Sequence, residues 1–190
     1  MVEKLETDYL VIGSGAMGMA FTDEMITRNP RAHFFLVDKH ARAGGHWNDA
    51  YGHVSLHQPA DFYEVNSEIL GRGGAALASG TEVMAYYERV LAKLVASERL
   101  QHFPMCESLG EGRLRSLVQP EREYEVTVRE KTVDATYMNV QVPSIRPPLF
   151  AVAPEIELVA LKLRFAPRGP PGSPTPHSRS RSTHLRASAW

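Results

Sequence analysis

DYLVIGSGAMGMAFTDEMITRNPRAHFFLVD, residues 8–38, decides how the rest of the chain is read. Tyr9–Ile12 is an apolar run of the kind buried in parallel sheets. Gly13, Gly15 and Gly18 follow in the order G-x-G-x-x-G. Met17, Ala20, Phe21, Met25 and Ile26 recur at helical spacing, and Asn29-Pro30 stops the helix. A second apolar run, Phe34–Val37, ends on Asp38. Strand, glycine turn, helix, strand and acid form the order of a dinucleotide-binding unit. There Gly13 makes the tight turn, Gly15 lets the backbone approach a pyrophosphate, and Gly18 lets helix and strand pack closely. The backbone through Ser14, Ala16 and Met17 presents N–H groups to the phosphates, whose charge the helix dipole favours. Asp38 stands 20 residues after Gly18. A carboxylate there accepts hydrogen bonds from a ribose diol and repels a 2′-phosphate, so FAD or NAD is expected over NADP. A glycine-rich turn in an ordinary βαβ unit is the plainer alternative.

The 190 residues, 43% apolar and 23% charged, leave room for one domain, or one domain plus a tail. A net charge of −1 gives no bulk attraction to nucleic acid or to an anionic membrane. The apolar runs are too short to span a bilayer. The polar, acidic start lacks a signal-peptide core, which leads us to expect a cytoplasmic protein. Cys106 is the single cysteine, so the chain cannot form an internal disulfide or a C-x-x-C pair. That excludes the FAD proteins that work through a redox disulfide. A reactive thiol is one reading of Cys106; a buried residue at a strand end is the one we adopt.

Residues 39–60, KHARAGGHWNDAYGHVSLHQPA, show neither helical nor strand period. Gly44-Gly45 permits close backbone approach, and Trp47 offers a flat apolar face with one N–H donor. His46, His53 and His57 invite a metal reading. Gly52 and Pro59 oppose the helix that would align the last two, however, and no cysteine or carboxylate cluster joins them. No metal is expected. We read these histidines as polar lining of a cofactor pocket, with solvent-exposed loop residues as the alternative.

The glycine motif, Asp38 and then Gly44-Gly45-His46-Trp47 together resemble the amino-terminal half of FAD-dependent oxidoreductases of the flavin-containing monooxygenase and Baeyer–Villiger monooxygenase group. In that group a G-G-x-W motif follows the acidic end of the second strand. Ser55–Ser67 resembles a bacterial branch of NAD(P)/FAD-dependent oxidoreductases, and the likeness covers about residues 5–150. It implies a Rossmann-like parallel sheet of the FAD-binding, glutathione-reductase-like kind. The cofactor implied is FAD, with NAD(P)H as reductant only where a second half is supplied. By motif position Gly13–Gly18 would hold the pyrophosphate, with Asp38 and the adjoining Lys39 at the adenosine ribose. Gly45, His46 and Trp47 would lie along the cofactor, His57-Gln58 near the isoalloxazine ring, and Met105-Cys106 at the adenine end. Trp47 as a core aromatic pinning its loop is the competing reading.

Residues 68–80 are small and glycine-rich and read as a surface loop, with phosphate binding by Arg72-Gly73-Gly74 as the lesser reading. Thr81 is a candidate N-cap with Glu82 in the first turn. Val83, Tyr87, Val90, Leu91 and Leu94 then form a helical core stripe ending near Ser97. Leu100–Met105 reads as the third parallel strand, reached through that helix. Residues 113–142 read as a small antiparallel meander, with a turn near Glu130-Lys131. Related flavoproteins end the returning strand with A-T-G; at the position expected here the chain has Gln141-Val142-Pro143-Ser144.

From residue 151 the character changes, so we divide the chain into an FAD-binding domain, 1–150, and a tail, 151–190. The tail has five prolines in 166–176, and from Lys162 onward six basic and no acidic residues. It cannot bury enough apolar surface to offset its ordering entropy and is expected to be disordered. Ser178–Ser182 resembles an arginine–serine segment, and Pro167-x-x-Pro170 and Pro171-x-x-Pro174 fit P-x-x-P. The reading we favour is translation of a GC-rich gene out of frame, truncating a longer protein ahead of its second nucleotide motif. The expected function is an FAD-binding oxidoreductase domain of the monooxygenase type, acting on an unidentified small molecule and possessing no assignable catalytic residue. A non-catalytic nucleotide-binding or decayed protein and an NAD-dependent dehydrogenase are the alternatives. Gly44–Trp47 argues against the dehydrogenase.

Overall fold

The computed structural model describes residues 2–72, 75–136, 150–151 and 153–155, and the backbone of 157–160 and 186–189. The chain divides into two compact units, residues 1–48 with 53–140, and residues 49–52 with 141–190. In the second, β7 (Glu157–Ala160) and β8 (Arg186–Ala189) pair in parallel, Glu157 opposite Arg186. The proline-rich stretch 166–176, Gly73-Gly74 and Gln141–Ser144 lie outside the described residues.

The first unit is built on a six-stranded sheet in the order β3-β2-β1-β6-β5-β4. Its strands are β1 (Val2–Ile12), β2 (Phe34–Val37), β3 (Leu100–Phe103), β4 (Cys106–Gly110), β5 (Arg113–Ser116) and β6 (Glu123–Asp134). β1, β2, β3 and β6 run parallel, while β5 and β4 add antiparallel strands at one edge. This is the expected Rossmann-like α/β architecture with an antiparallel extension. The strand period of two divides the apolar residues between two faces. Val11, Phe34, Leu36 and Leu100 pack under the helices, whereas Leu10, Phe35, Val37 and Phe103 join Leu114, Tyr124 and Val126 on the other side. All four residues of β2 are buried.

Helix α1 (Ala16–Arg28) and helix α2 (Gly80–Val95) cover the first face. Arg99 holds the far end of α1, its guanidinium donating to Ile26 O at 2.9 Å and Asn29 O at 3.1 Å, a cation placed where the helix dipole favours it. On α2, Val83, Tyr86, Tyr87, Val90 and Leu94 are buried. The Tyr86 hydroxyl accepts from Val65 N–H at 2.7 Å and donates to Glu68 O at 2.9 Å, so the helix carries the 65–68 loop on one phenol.

Several local expectations need correction. β1 begins at Val2, not Tyr9, because β6 pairs with its polar first half. Met17 is 73% exposed. Gly18 faces the strand, and its neighbour lies about 100° round the helix. The α2 N-cap is Ser79, not Thr81: Ser79 and Glu82 form a reciprocal capping box. The segment 68–80 is no simple surface loop, since Leu70 and Ala78 are buried. Glu130-Lys131 is not a turn. β6 runs straight through it, and the register shift opposite Thr7/Tyr9 absorbs the extra residue as a bulge. Arg129 in that bulge donates to Asp8 at 2.7 Å and to Glu6 at 3.2 Å. The first strand of the meander, β4, starts at Cys106, earlier than expected.

Tyr86→Phe removes both phenol hydrogen bonds and strands the Val65 N–H. We expect a loss of about 1–3 kcal/mol in folding free energy by urea denaturation, with the helix content in circular dichroism unchanged.

Candidate functional site

β1 ends at Ile12, and the chain turns at Gly13, whose φ is +101° and whose N–H donates to Val37 O at 2.7 Å. α1 begins three residues later. The crossing is tight: a Cβ on Gly18 would collide with the carbonyl oxygen of Gly13. The end of β6 closes on the same turn. Ala135 N–H donates to Ile12 O at 2.8 Å, and a Cβ on Gly13 would come within 2.9 Å of the Thr136 methyl. The strand that returns from the meander therefore finishes at Asp134 and continues through Ala135 to Thr136. That end comes ahead of Gln141–Ser144, where the sequence places it, and Gln141–Ser144 itself lies outside the described residues. The bulge in β6 and the missing turn at 130–131 account for the misplacement.

Gly15 is the residue from which α1 starts, with no side chain capping the helix and no acid in its first turn. Its φ of −78° suits any residue, and a Cβ there would rest 3.4 Å from Gly45 Cα, an ordinary contact. Gly45 has no such latitude, with φ of +55° and a Cβ position only 2.9 Å from Gly15 Cα. The two backbones pass side by side, and Gly44 N–H joins them by donating to Ser14 O at 2.9 Å. The second glycine pair is thus brought against the first, as the motif order implies. His46 is exposed and stacks on Trp47 with ring centroids 5.8 Å apart. Trp47 is half-buried against the core and against the start of α2, where a Cβ on Gly80 would lie 3.5 Å from the indole.

Asp38 is 6% exposed and turned inward. Its Oδ2 accepts from Ser14 N–H at 2.6 Å and from Ser14 Oγ at 2.8 Å. Its Oδ1 accepts from His40 N–H at 2.8 Å and lies 2.8 Å from His40 Nδ1. Burial raises the carboxyl pKa, but the hydrogen bonds from His40 and Ser14 outweigh it and hold the group below its ordinary value of 3.8. Lys39, next along, is exposed. Met105 and Cys106 are tied to this strand end, Met105 N–H donating to His40 O at 3.1 Å and Cys106 N–H to Asp38 O at 2.9 Å. Met105 takes φ of +51° to make that turn. Cys106 is 5% exposed, and burial pushes its thiol up.

His57 and Gln58 are exposed, and Gln58 accepts from the Tyr63 hydroxyl at 3.0 Å. Among the described residues no three His, Cys, Asp or Glu side chains converge as metal ligands would. No helix among them is long and apolar enough to cross a membrane. Two residues beside the site carry no motif. His40 follows Asp38 by two, the spacing at which an Asx side chain bonds the backbone ahead of it, and that signal is readable in retrospect. His102, on β3, has a buried Nε2 without a hydrogen-bond partner among the described residues. Burial depresses its pKa, and the charge of Asp38 opposes that.

No protein-family profile matches the chain. Uncharacterized proteins of Mycobacterium tuberculosis and Mycobacterium bovis are 47% identical to it over 167 residues, a match covering 82% of this chain and 30% of theirs. The chain thus spans about 30% of the length of the curated relatives it matches. A flavin-containing monooxygenase from Stenotrophomonas maltophilia superposes with a TM-score of 0.52 at 21% identity, over 70% of this chain and 38% of that one. The bacillithiol disulfide reductase of Staphylococcus aureus gives 0.55 at 15%, over 81% and 44%. A cyclohexanone monooxygenase gives 0.55 at 14%, over 83% and 31%. These likenesses are of fold: the first unit has the Rossmann-like architecture of one part of each.

Because its folded pKa is depressed, ionised Asp38 stabilises the fold above pH 3.8 and loses that contribution as pH falls through the lower folded value. Urea midpoints of wild type and Asp38→Asn are expected to differ most near neutrality and to converge below pH 3.8. A gap that stays constant with pH would contradict this.

Proposed function

We propose that this chain is the FAD-binding part of a flavin-dependent oxidoreductase of the monooxygenase type. One observation carries the reading. Gly13 and Gly18 are glycine because the fold demands it, the first by its positive φ and the second by the collision of any Cβ with backbone. Gly15 is under neither demand, since its φ is ordinary and a Cβ there has space. A glycine that packing does not require, at the start of an uncapped helix, is what a pyrophosphate needs if it is to lie against backbone N–H groups.

The residues present suit FAD. Gly13, Ser14, Gly15, Ala16, Met17 and Gly18 would line the pyrophosphate, with no acid in the first helical turn to repel it. Gly45, His46 and Trp47, held against Gly15 by the backbone crossing, would flank the cofactor. Lys39, Met105 and Cys106, gathered at the ends of β2 and β3, would meet the adenosine end, and His57-Gln58 the flavin side. When bound, FAD would supply electron transfer from NAD(P)H to oxygen; the protein supplies binding, orientation and field. The mycobacterial relatives, more than three times the matched length, have room for the nicotinamide site and for substrate selection. The neighbours named for flavin monooxygenase activity support this class, and the G-G-x-W motif favours it over an NAD-dependent dehydrogenase.

Gly15→Ala separates ligand from fold. We expect it to change stability by no more than about 1 kcal/mol, the scale of an N-cap substitution. It should weaken FAD binding at least tenfold by calorimetry, and the purified variant should lose flavin absorbance on desalting while wild type keeps it. Wild type that binds no FAD would refute the reading.

A further inference from the structure

We propose that Asp38 is a positioning residue of the nucleotide site: its carboxylate is taken up by Ser14 and His40, fixes the glycine turn, and does not receive the ribose diol. The proposal rests on the nucleotide-binding reading and departs from the role that the motif assigns to this acid.

A carboxylate offers about four lone-pair positions. Three are directed at donors, the Ser14 N–H and hydroxyl and the His40 N–H, and the fourth faces His40 Nδ1, which donates in the tautomer protonated there, all at 2.6–2.8 Å. Bonds of this kind, charge-assisted and short, are the strong ones. The side chain has no slack either, because its own backbone is held on both sides. Asp38 N–H donates to Phe103 O at 3.1 Å, and Asp38 O accepts from Cys106 N–H at 2.9 Å. Ser14 is fully buried, so its hydroxyl cannot turn to solvent and leave Oδ2 vacant.

What the carboxylate holds is the turn. Ser14 stands between Gly13 and Gly15, and its carbonyl accepts from Gly44 N–H. One buried charge therefore connects three backbone segments, 13–15, 38–40 and 44–45, which are the segments that would enclose a pyrophosphate. Asp38 acts on the ligand through Ser14. A ribose hydroxyl reaching for the same oxygens would have to displace a donor that the fold has already placed there.

The test compares ADP with 2′-deoxy-ADP by calorimetry on the full chain, as wild type, Asp38→Asn and Ser14→Ala. We expect wild type to bind the two within threefold. Asp38→Asn should weaken both by the same factor, tenfold or more, and Ser14→Ala both by a smaller common factor. Wild type that prefers ADP tenfold or more, with the preference lost in Asp38→Asn, would overturn the proposal, as would unchanged affinities in Asp38→Asn. Amide hydrogen exchange without nucleotide provides an independent arm. Asparagine has one side-chain oxygen, so at least one of the Ser14 and His40 amides should exchange tenfold or more faster in Asp38→Asn; unchanged rates overturn the proposal. If wild type binds neither nucleotide, the nucleotide reading fails, and the exchange rates still decide whether the carboxylate holds the turn.

Discussion

The contact between Gly18 and the carbonyl of Gly13 is the constraint from which the rest follows. It allows α1 to start almost on top of the strand it has just left, and so sets the angle at which the helix lies on the sheet. With that angle given, Met19, Thr22, Asp23 and Ile26 face inward and Met17 faces outward. Arg99 and the core of α2 then close around the far end of α1. A side chain at residue 18 would lift the helix, and the buried faces of Phe34, Leu36 and Val83 would lose what they pack against.

The same contact brings separate pieces of chain together. Gly13 meets Thr136 at the end of β6, Gly15 meets Gly45, and Ser14 meets both Asp38 and Gly44. These residues span more than a hundred positions in sequence, yet they converge on one turn. The site is assembled from strand ends on the carboxyl side of a parallel sheet, which is where open α/β sheets gather their ligands. The surface these segments present is mostly backbone, with side chains such as Ser14 and Asp38 holding that backbone in place.

Much of this is legible in the residues themselves. The βαβ unit from Tyr9 to Asp38 reads correctly because its signals are local: an apolar run, glycines at fixed offsets, a helix breaker, a second run. The stripe on α2 reads nearly as well; Tyr86, which it omits, lies three after Val83 and four before Val90 and so on the same face, and only its bonds to the 65–68 loop leave no trace in the period. The errors in the sheet fall where pairing partners are remote. Val2–Asp8 reads only as a polar, acidic start, since nothing nearby says that β6 will pair with it. Glu130-Lys131 looks like a turn because a bulge also collects charged residues. Asp38 can be placed at the end of its strand from the sequence, but which groups occupy its oxygens depends on Ser14 and His40 folding back onto it.

The pairing of β1 with β6 carries a consequence for how the chain is made. Most of the length of β1 has no partner until a segment more than 110 residues later has been synthesised. During that interval its open edge is a template for other chains. Long-range parallel pairing of this kind is also slow to form. The charged residues Glu3, Lys4, Glu6 and Asp8 would keep that waiting edge soluble, and in the finished sheet the same four charges pair with Arg122, Glu125 and Arg129.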